Sequence, residues 1–286
     1  MTQSGGCGVS DKKEGGALRF LYGTAPGRAM LRCIYGRGVS KLCGKYLDSR
    51  LSKVLIKKFV KKNNIDLSEY ESAEYRSFNE FFTRKIADGR RPFYDAPKAL
   101  CSPCDGLLSV YEIKDGLVLP VKQSSYTVSS LLGKDPIAER FADGLCLVFR
   151  LCVDNYHRYA YFDSGVKEEN IYIKGKLHTV RPIALERYPV FVENCREWTL
   201  MHTDNFGDAV QIEVGAMLVG KIKNHAGAGS FVRGEEKGMF LYGGSTVILL
   251  LERGAAAIDQ MILDSVSEGK EYPVKMGEMI GTAAGA

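Results

Sequence analysis

The sequence holds 286 residues, 45% hydrophobic and 26% charged, with a formal net charge of +5, a globular composition long enough for one large domain or two small ones. No apolar run approaches the roughly 18 residues that cross a bilayer, the longest strand-like run being Val247 to Leu251, so a spanning helix is excluded. Eight cysteines at scattered positions exclude a dense disulfide framework and point to reduced thiols in a cytosolic setting.

Met1 to Gly16 is rich in Gly, Ser and Lys and lacks the apolar stretch of a signal peptide, so residues 1–16 read as a loose tail. Residues 17–90 read as a basic helical region of short helices broken by glycine. From Arg28 to Lys62 there are eleven Lys or Arg against one acidic residue, Asp48. Leu51, Val54, Leu55 and Phe59 keep near-helical spacing among Lys53, Lys57 and Lys58. A basic amphipathic helix of this kind can lie in an anionic headgroup layer, or can pack on its own domain with its lysines in water. No aromatic stacking pattern or helix-turn-helix accompanies the charge, so nucleic acid is not the expected partner. Ser77 with Glu80 three positions later has the form of a capping box.

After Arg90-Arg91-Pro92 the texture changes, and residues 91–286 read as one β-rich catalytic domain. Candidate strands are Leu107–Ile113, Leu117–Val121, Cys146–Leu151, Tyr156–Phe162, Ile171–Val180, Val190–Val192, Glu197–Thr203, Ala209–Val214, Leu218–Ile222, Val247–Leu251 and Ala257–Leu263. Thr127–Phe141 is the one interval that reads as helix. The expected fold class is therefore α+β: a helical N-terminal region packed on a mostly antiparallel β domain.

Chemistry-bearing residues are few. Cys101-Ser102-Pro103-Cys104 has the C-x-x-C form, but no second pair completes a zinc site and no thioredoxin-like pattern surrounds it, so structural cysteines are expected. Asp105 stands at a turn entering a strand, where a carboxylate can orient a histidine, although Asp-Gly is also a common turn dipeptide. His157, in Tyr156-His157-Arg158-Tyr159, would share a strand face with Tyr159 and could move a proton near neutral pH; a buried structural histidine fits as well. His178 and His225 are separate candidates. No pair has metal-ligand spacing, and no metal is expected. Gly227-Ala228-Gly229-Ser230 is not a phosphate loop, and Gly243-Gly244-Ser245-Thr246-Val247 lacks the last glycine of a hydrolase nucleophile elbow. In that last stretch two glycines free the backbone before Ser245, so its hydroxyl could attack the preceding peptide. The same residues also read as an ordinary hairpin turn.

Taken in order, several segments resemble the pyruvoyl-dependent phosphatidylserine decarboxylase family, most closely its bacterial form from Gram-positive anaerobes, from about Leu21 to Gly281. They are Phe78-Asn79-Glu80-Phe81-Phe82-Thr83-Arg84, Ser102-Pro103-Cys104-Asp105-Gly106, Tyr156-His157-Arg158, Phe206-Gly207, Val214-Gly215-Ala216 with Val219-Gly220, Gly234-Glu235-Glu236-Lys237-Gly238 and Gly243-Gly244-Ser245-Thr246. The resemblance implies self-cleavage between Gly244 and Ser245 into large (1–244) and small (245–286) subunits. Ser245 would become a pyruvoyl group that forms a Schiff base with phosphatidylserine and releases phosphatidylethanolamine and carbon dioxide.

It also implies that Asp105 orients a histidine for cleavage and that His157 transfers a proton in decarboxylation. The second histidine of the family's Tyr-His-Arg-x-His pattern is replaced by Ala160, which makes His178 a candidate substitute as the base for Ser245. The implied location is peripheral, on the cytoplasmic face of the cell membrane, with an anionic membrane surface as partner. A homodimer is compatible with the sequence. Two alternatives stand beside this: a pyruvoyl decarboxylase of a soluble amino acid, and an uncleaved membrane-binding protein without activity.

Overall fold

Val247 to Leu251 is apolar at every position, which requires burial on both faces. In a computed structural model, which describes residues 16–34, 37–114, 117–121, 124–185, 188–216, 221–241 and 245–285, Ser245–Leu251 is a fully buried interior strand of a nine-stranded sheet. It pairs antiparallel with Gly207–Val214 on one side and Leu145–Leu151 on the other. In spatial order the sheet runs Gly229–Phe231, Gly165–Lys167, Arg196–Thr203, Gly207–Val214, Ser245–Leu251, Leu145–Leu151, Gly106–Glu112 and Tyr272–Val274. Ile171–Ile173 pairs off this path with Arg196–Thr203.

Two cores form because successive strand residues point to opposite faces. Ile248 and Leu250 join Tyr22, Leu31, Trp198, Val210 and Ile212 in one. Val247, Leu249 and Leu251 join Leu147, Phe149, Met201 and Phe240 in the other. By the same alternation Ser245 belongs to the second face.

The described N-terminal helices are Gly16–Gly23, Ala25–Ile34, Arg37–Asp48, Val54–Asn63 and Phe78–Phe82. Tyr22 and Leu31, both fully buried, share a core with the sheet strands, whereas Leu47, Phe78, Phe81 and Phe82 form a separate cluster with Leu55 and Phe59. Phe78–Phe82 starts where Ser77 Oγ accepts the Glu80 N–H at 3.2 Å. The Glu80 carboxylate reaches back to the N–H of Arg76 instead of that of Ser77, so the capping box closes one residue early. Residues 1–15 of the predicted tail lie outside the described residues.

Several predicted elements differ. Val190–Val192 is a helical turn, Val190–Glu193. Ala257–Leu263 splits into the strand Ala256–Ile258 and the helix Gln260–Ser267, because the Asp259 carboxylate accepts the Met261 N–H at 2.9 Å and caps a new helix there. Thr127–Phe141 divides into Val128–Leu131 and a tighter turn at Pro136–Phe141. Gly133 and Lys134 break it, both with positive φ, at 71° and 69°. Tyr156–Phe162 shortens to Arg158–Ala160 and Ile171–Val180 to Ile171–Ile173. In place of Leu218–Ile222 the strand is Lys221–Asn224, with 217–220 outside the described residues.

Candidate active site

Ser245 begins its strand opposite Leu151, and the chain leaving Leu151 returns with His157. The return is a tight turn. The Cys152 N–H donates to Asn155 Oδ1 at 2.7 Å, and the Asn155 N–H donates to the Cys152 carbonyl at 3.0 Å. His157 follows immediately, just before the Arg158–Ala160 strand, with its own carbonyl held by the Phe240 N–H at 2.9 Å. Its ring lies against Phe82, centroids 4.2 Å apart. Both Ser245 and His157 are fully buried.

His157 Nδ1 is 3.1 Å from Ser245 Oγ, and Nε2 is 3.0 Å from the Cys152 carbonyl oxygen. A carbonyl only accepts, so Nε2 must carry the ring proton. In the neutral ring Nδ1 is then a bare lone pair that accepts the Ser245 hydroxyl proton. Burial first, and the nearby Arg84 guanidinium second, depress the His157 pKa to about 3 against the opposing Cys152 hydrogen bond. The imidazole is therefore neutral near pH 7 and aimed at the hydroxyl. This is the arrangement a general base needs for an alkoxide to form. Gly244, on the other side of the peptide in question, lies outside the described residues.

Arg84 is 2% exposed, stacked over the Tyr70 ring at 4.1 Å and the Phe81 ring at 4.9 Å, and it donates to the Tyr70 hydroxyl at 3.0 Å. This aromatic cage, from the Phe78–Phe82 helix and its flanks, holds a cation near the imidazole.

Asp105 is not brought to a histidine. Its Oδ1 accepts from Arg91 Nε at 3.2 Å and from the Met276 N–H at 2.9 Å, and its Oδ2 accepts from Arg91 Nη2 at 3.2 Å. Ala160, 1% exposed, lines a cleft of about 230 Å³ together with Arg91, Tyr156, Arg158, Glu236 and Met276.

His178 belongs to the opposite face. It stacks on Tyr188 at 4.6 Å, its Nδ1 is 3.5 Å from the Tyr22 hydroxyl, and its Nε2 is 3.2 Å from a Glu193 oxygen. Burial lowers its pKa while Glu193 pulls the other way. Its neighbours Tyr22 and Tyr188 pack in the core reached by Ile248 and Leu250, not in that of Val247. A His178→Ala chain is accordingly expected to lose thermal stability yet mature within about threefold of the parent rate, well short of the hundredfold or more a general base supplies. Timed intact-mass spectra check this, and a stalled chain would restore His178 as the base.

His225 pairs with Glu236 at 2.5 Å and His202 with Asp208 at 2.7 Å. Cys101 and Cys104 are buried and unpaired with each other, and burial raises both thiol pKa values. The sequence pointed to His157, Asp105 and Ser245 but not to Arg91 or Met276. No motif marks an arginine whose carboxylate partners are 14 and 22 residues away, or a backbone N–H 171 residues from the carboxylate it meets.

Two comparisons with known proteins bear on this site. A family model described as phosphatidylserine decarboxylase matches residues 78–282. The chain is 46% identical over 269 residues to the phosphatidylserine decarboxylase proenzyme 2 of Clostridium acetobutylicum, covering 94% of this chain and 92% of that one. It is 40% identical over 271 residues to the phosphatidylserine decarboxylase proenzyme of Clostridium beijerinckii (93% and 92% covered), and 40% identical over 273 residues to that of Ruminiclostridium cellulolyticum (93% and 91%).

Proposed function

The chain belongs to the phosphatidylserine decarboxylase family, and from that premise we propose that it is a proenzyme that cuts itself before Ser245 and then decarboxylates phosphatidylserine at a membrane surface. The observation that carries this reading is the 3.1 Å approach of a bare His157 Nδ1 to Ser245 Oγ. His157, not His178 and not a residue at position 160, is the base. Nδ1 takes the hydroxyl proton as Oγ attacks the Gly244 carbonyl carbon. The C–N bond breaks, and the freed amine takes a proton, leaving an ester. Loss of the Ser245 Cα proton expels the Gly244 carboxylate, and water then replaces the nitrogen, which departs as ammonia. The large subunit is 1–244 and the small one 245–286.

Ser245 fits the pyruvoyl role because its hydroxyl is buried, hydrogen-bonded to a neutral base and carried on a strand held from both sides. The group it yields supplies a carbonyl that condenses with the substrate amine and takes up the electrons left behind by carbon dioxide. His157 remains beside that position and carries the proton that the former α-carbon acquires. The aromatic wall of Phe82 keeps water away from the imidazole.

The membrane reading rests on exposed apolar side chains set among cations. Leu42, Leu51 and Val54 are 71%, 74% and 75% exposed and Tyr46 is 45% exposed, beside the exposed Lys45, Arg50, Lys53, Lys57 and Lys58. Large aliphatic groups left in water among lysines suit an anionic bilayer on the cytoplasmic side, where each cation contributes about 1 kcal/mol. Among the described residues no helix is long and apolar enough to cross a membrane. Replacing Leu51 and Val54 by Glu together is expected to weaken binding to phosphatidylserine vesicles by at least about tenfold, since burying each side chain is worth about 1.5–3 kcal/mol. Vesicle sedimentation measures it, and unchanged binding removes this face as the docking site.

An intact-mass spectrum of the purified protein tests the whole reading. Two species divided before Ser245, the smaller with a pyruvoyl mass, are expected. One intact chain would favour the inactive membrane-binding alternative. Turnover of free serine in preference to dispersed phosphatidylserine would favour the soluble substrate.

A further inference from the structure

His157 and Ser245 are carried by different sheets. Ser245 opens an interior strand of the nine-stranded sheet, whereas His157 immediately precedes the edge strand of a three-stranded sheet, ordered Lys221–Asn224, Glu236–Leu241 and Arg158–Ala160. Phe240 of its middle strand donates its N–H to the His157 carbonyl at 2.9 Å, so the histidine goes where that sheet goes. Tyr159, Phe240 and Ile222 pack the small sheet on the face of the large one that carries Val247 and Leu249. Apolar packing is non-directional and by itself sets no register between them.

Among these apolar side chains lies a buried ion pair. Lys237 Nζ is 2.8 Å from Glu213 Oε1, and both side chains are fully buried. Glu213 stands opposite Val247, and Ser245, two residues before Val247 on the same face, is its diagonal neighbour at about 7–8 Å across the ladder. Asn224 reaches the same point from the small sheet. Its Nδ2 donates to Glu213 Oε2 at 3.2 Å and to Glu197 Oε1 at 2.9 Å, and its Oδ1 accepts from Lys237 Nζ at 3.0 Å and from the Tyr159 hydroxyl at 3.2 Å. Gln211 Nε2 donates to Glu213 Oε1 at 3.0 Å. Burial pushes the Glu213 pKa up, and Lys237 foremost, then Asn224 and Gln211, work against it.

Two backbone features bring Lys237 to this position. Its strand pairs Glu236 with Ala160 and then Gly238 with Tyr159, so Lys237 is the extra residue of a β-bulge, a device that re-aims a side chain. At Gly238 a Cβ would come 2.4 Å from the Lys223 carbonyl oxygen and 2.7 Å from the Tyr159 hydroxyl, so only glycine lets the strands close there. We propose that Lys237 and Glu213, with Asn224, form a register lock that sets the small sheet on the large one and so places His157 against Ser245. They are positioning residues, and the proposal deepens the self-cleavage reading above, on which it rests. Neutral side chains at both positions of a buried ion pair fold about as well as the pair, whereas one partner alone leaves an uncompensated charge. Stability and positioning therefore separate in a double variant.

The test compares the full-length parent with Glu213→Gln, Lys237→Met and the double variant, by denaturant midpoint and timed intact mass. Each single variant is expected to lower the midpoint and slow cutting, because it strands a charge. The double variant should recover the parent midpoint and still cut about tenfold to hundredfold slower, the cost of misplacing a reacting group by about 1 Å. Nitrogen NMR of the histidine rings in uncut Ser245→Ala chains, with His157 assigned by adding His157→Gln, should show a single Nε2–H tautomer that becomes mixed when the double change is added. Recovery of both midpoint and cutting rate overturns the proposal, because the pair would then serve stability alone, and so does a ring signal that the double change leaves unmoved. If the double variant does not fold, Asn224→Ala decides, since it keeps the charges matched and removes the two Asn224 bonds that cross between the sheets. It should cut about tenfold slower, and cutting at the parent rate overturns the lock. An uncut parent refutes the self-cleavage reading itself, and the ring signal alone then decides whether the lock holds His157.

Discussion

A chain carrying His157→Gln is expected to stay a single polypeptide of 286 residues over times in which the parent is fully cut. Glutamine fills much of the space against Phe82 and can still bond the Ser245 hydroxyl, but its amide does not take the proton. General bases of this kind contribute about 10²- to 10⁴-fold, and the intact-mass time course should slow by that factor. Nothing else among the described residues is shown to hydrogen-bond Ser245 Oγ. Substitution of Ser245 by Ala removes the nucleophile and should abolish cutting altogether, so the two variants bracket the effect. A His157→Gln chain that matures at the parent rate would show that the 3.1 Å contact is structural.

The second large effect is expected in acid. His157 titrates near its ordinary value of 6.5 when unfolded and at about 3 when folded. Between these values the unfolded chain binds a proton that the native chain does not, so stability rises with pH across that window. The contribution is fully present above about pH 6.5 and is lost as pH falls towards about pH 3, at about 1.4 kcal/mol for each pH unit crossed. The uncut Ser245→Ala chain should therefore lose stability more steeply than the Ser245→Ala/His157→Gln chain through that range, by about several kcal/mol in total. Denaturant midpoints measured for both at a series of pH values give the difference directly. Parallel curves would mean that native His157 takes up its proton at the same pH as in the unfolded chain, and the argument that burial holds the base neutral would fall.

We propose His157 rather than His178 as the base because of strand geometry. Ser245 shares a face with Val247, and His178 packs with Tyr22 and Tyr188 beside the core on the other side. Pattern reading put His157 inside a strand and paired it with Tyr159. The strand instead begins at Arg158, because the Cys152 to Asn155 turn spends the preceding residues on its own hydrogen bonds. Tyr159 then points to Asn224, 3.2 Å away. The Asp105 assignment moved for a different reason: its carboxylate meets a guanidinium and a backbone N–H whose presence depends on two loops meeting.

The α+β class, the basic helical segment, the uniformly apolar strand after Thr246 and the family resemblance were all readable from residue order, because each rests on local composition, periodicity or motif. Local patterns carry no information about which strands neighbour one another. The tertiary structure decided that Ser245 faces His157 across 88 residues, that Ala160 lines a cleft, and that the Met276 N–H donates to Asp105. The two contacts are long-range ones set by sheet order and burial, which a one-dimensional pattern does not encode.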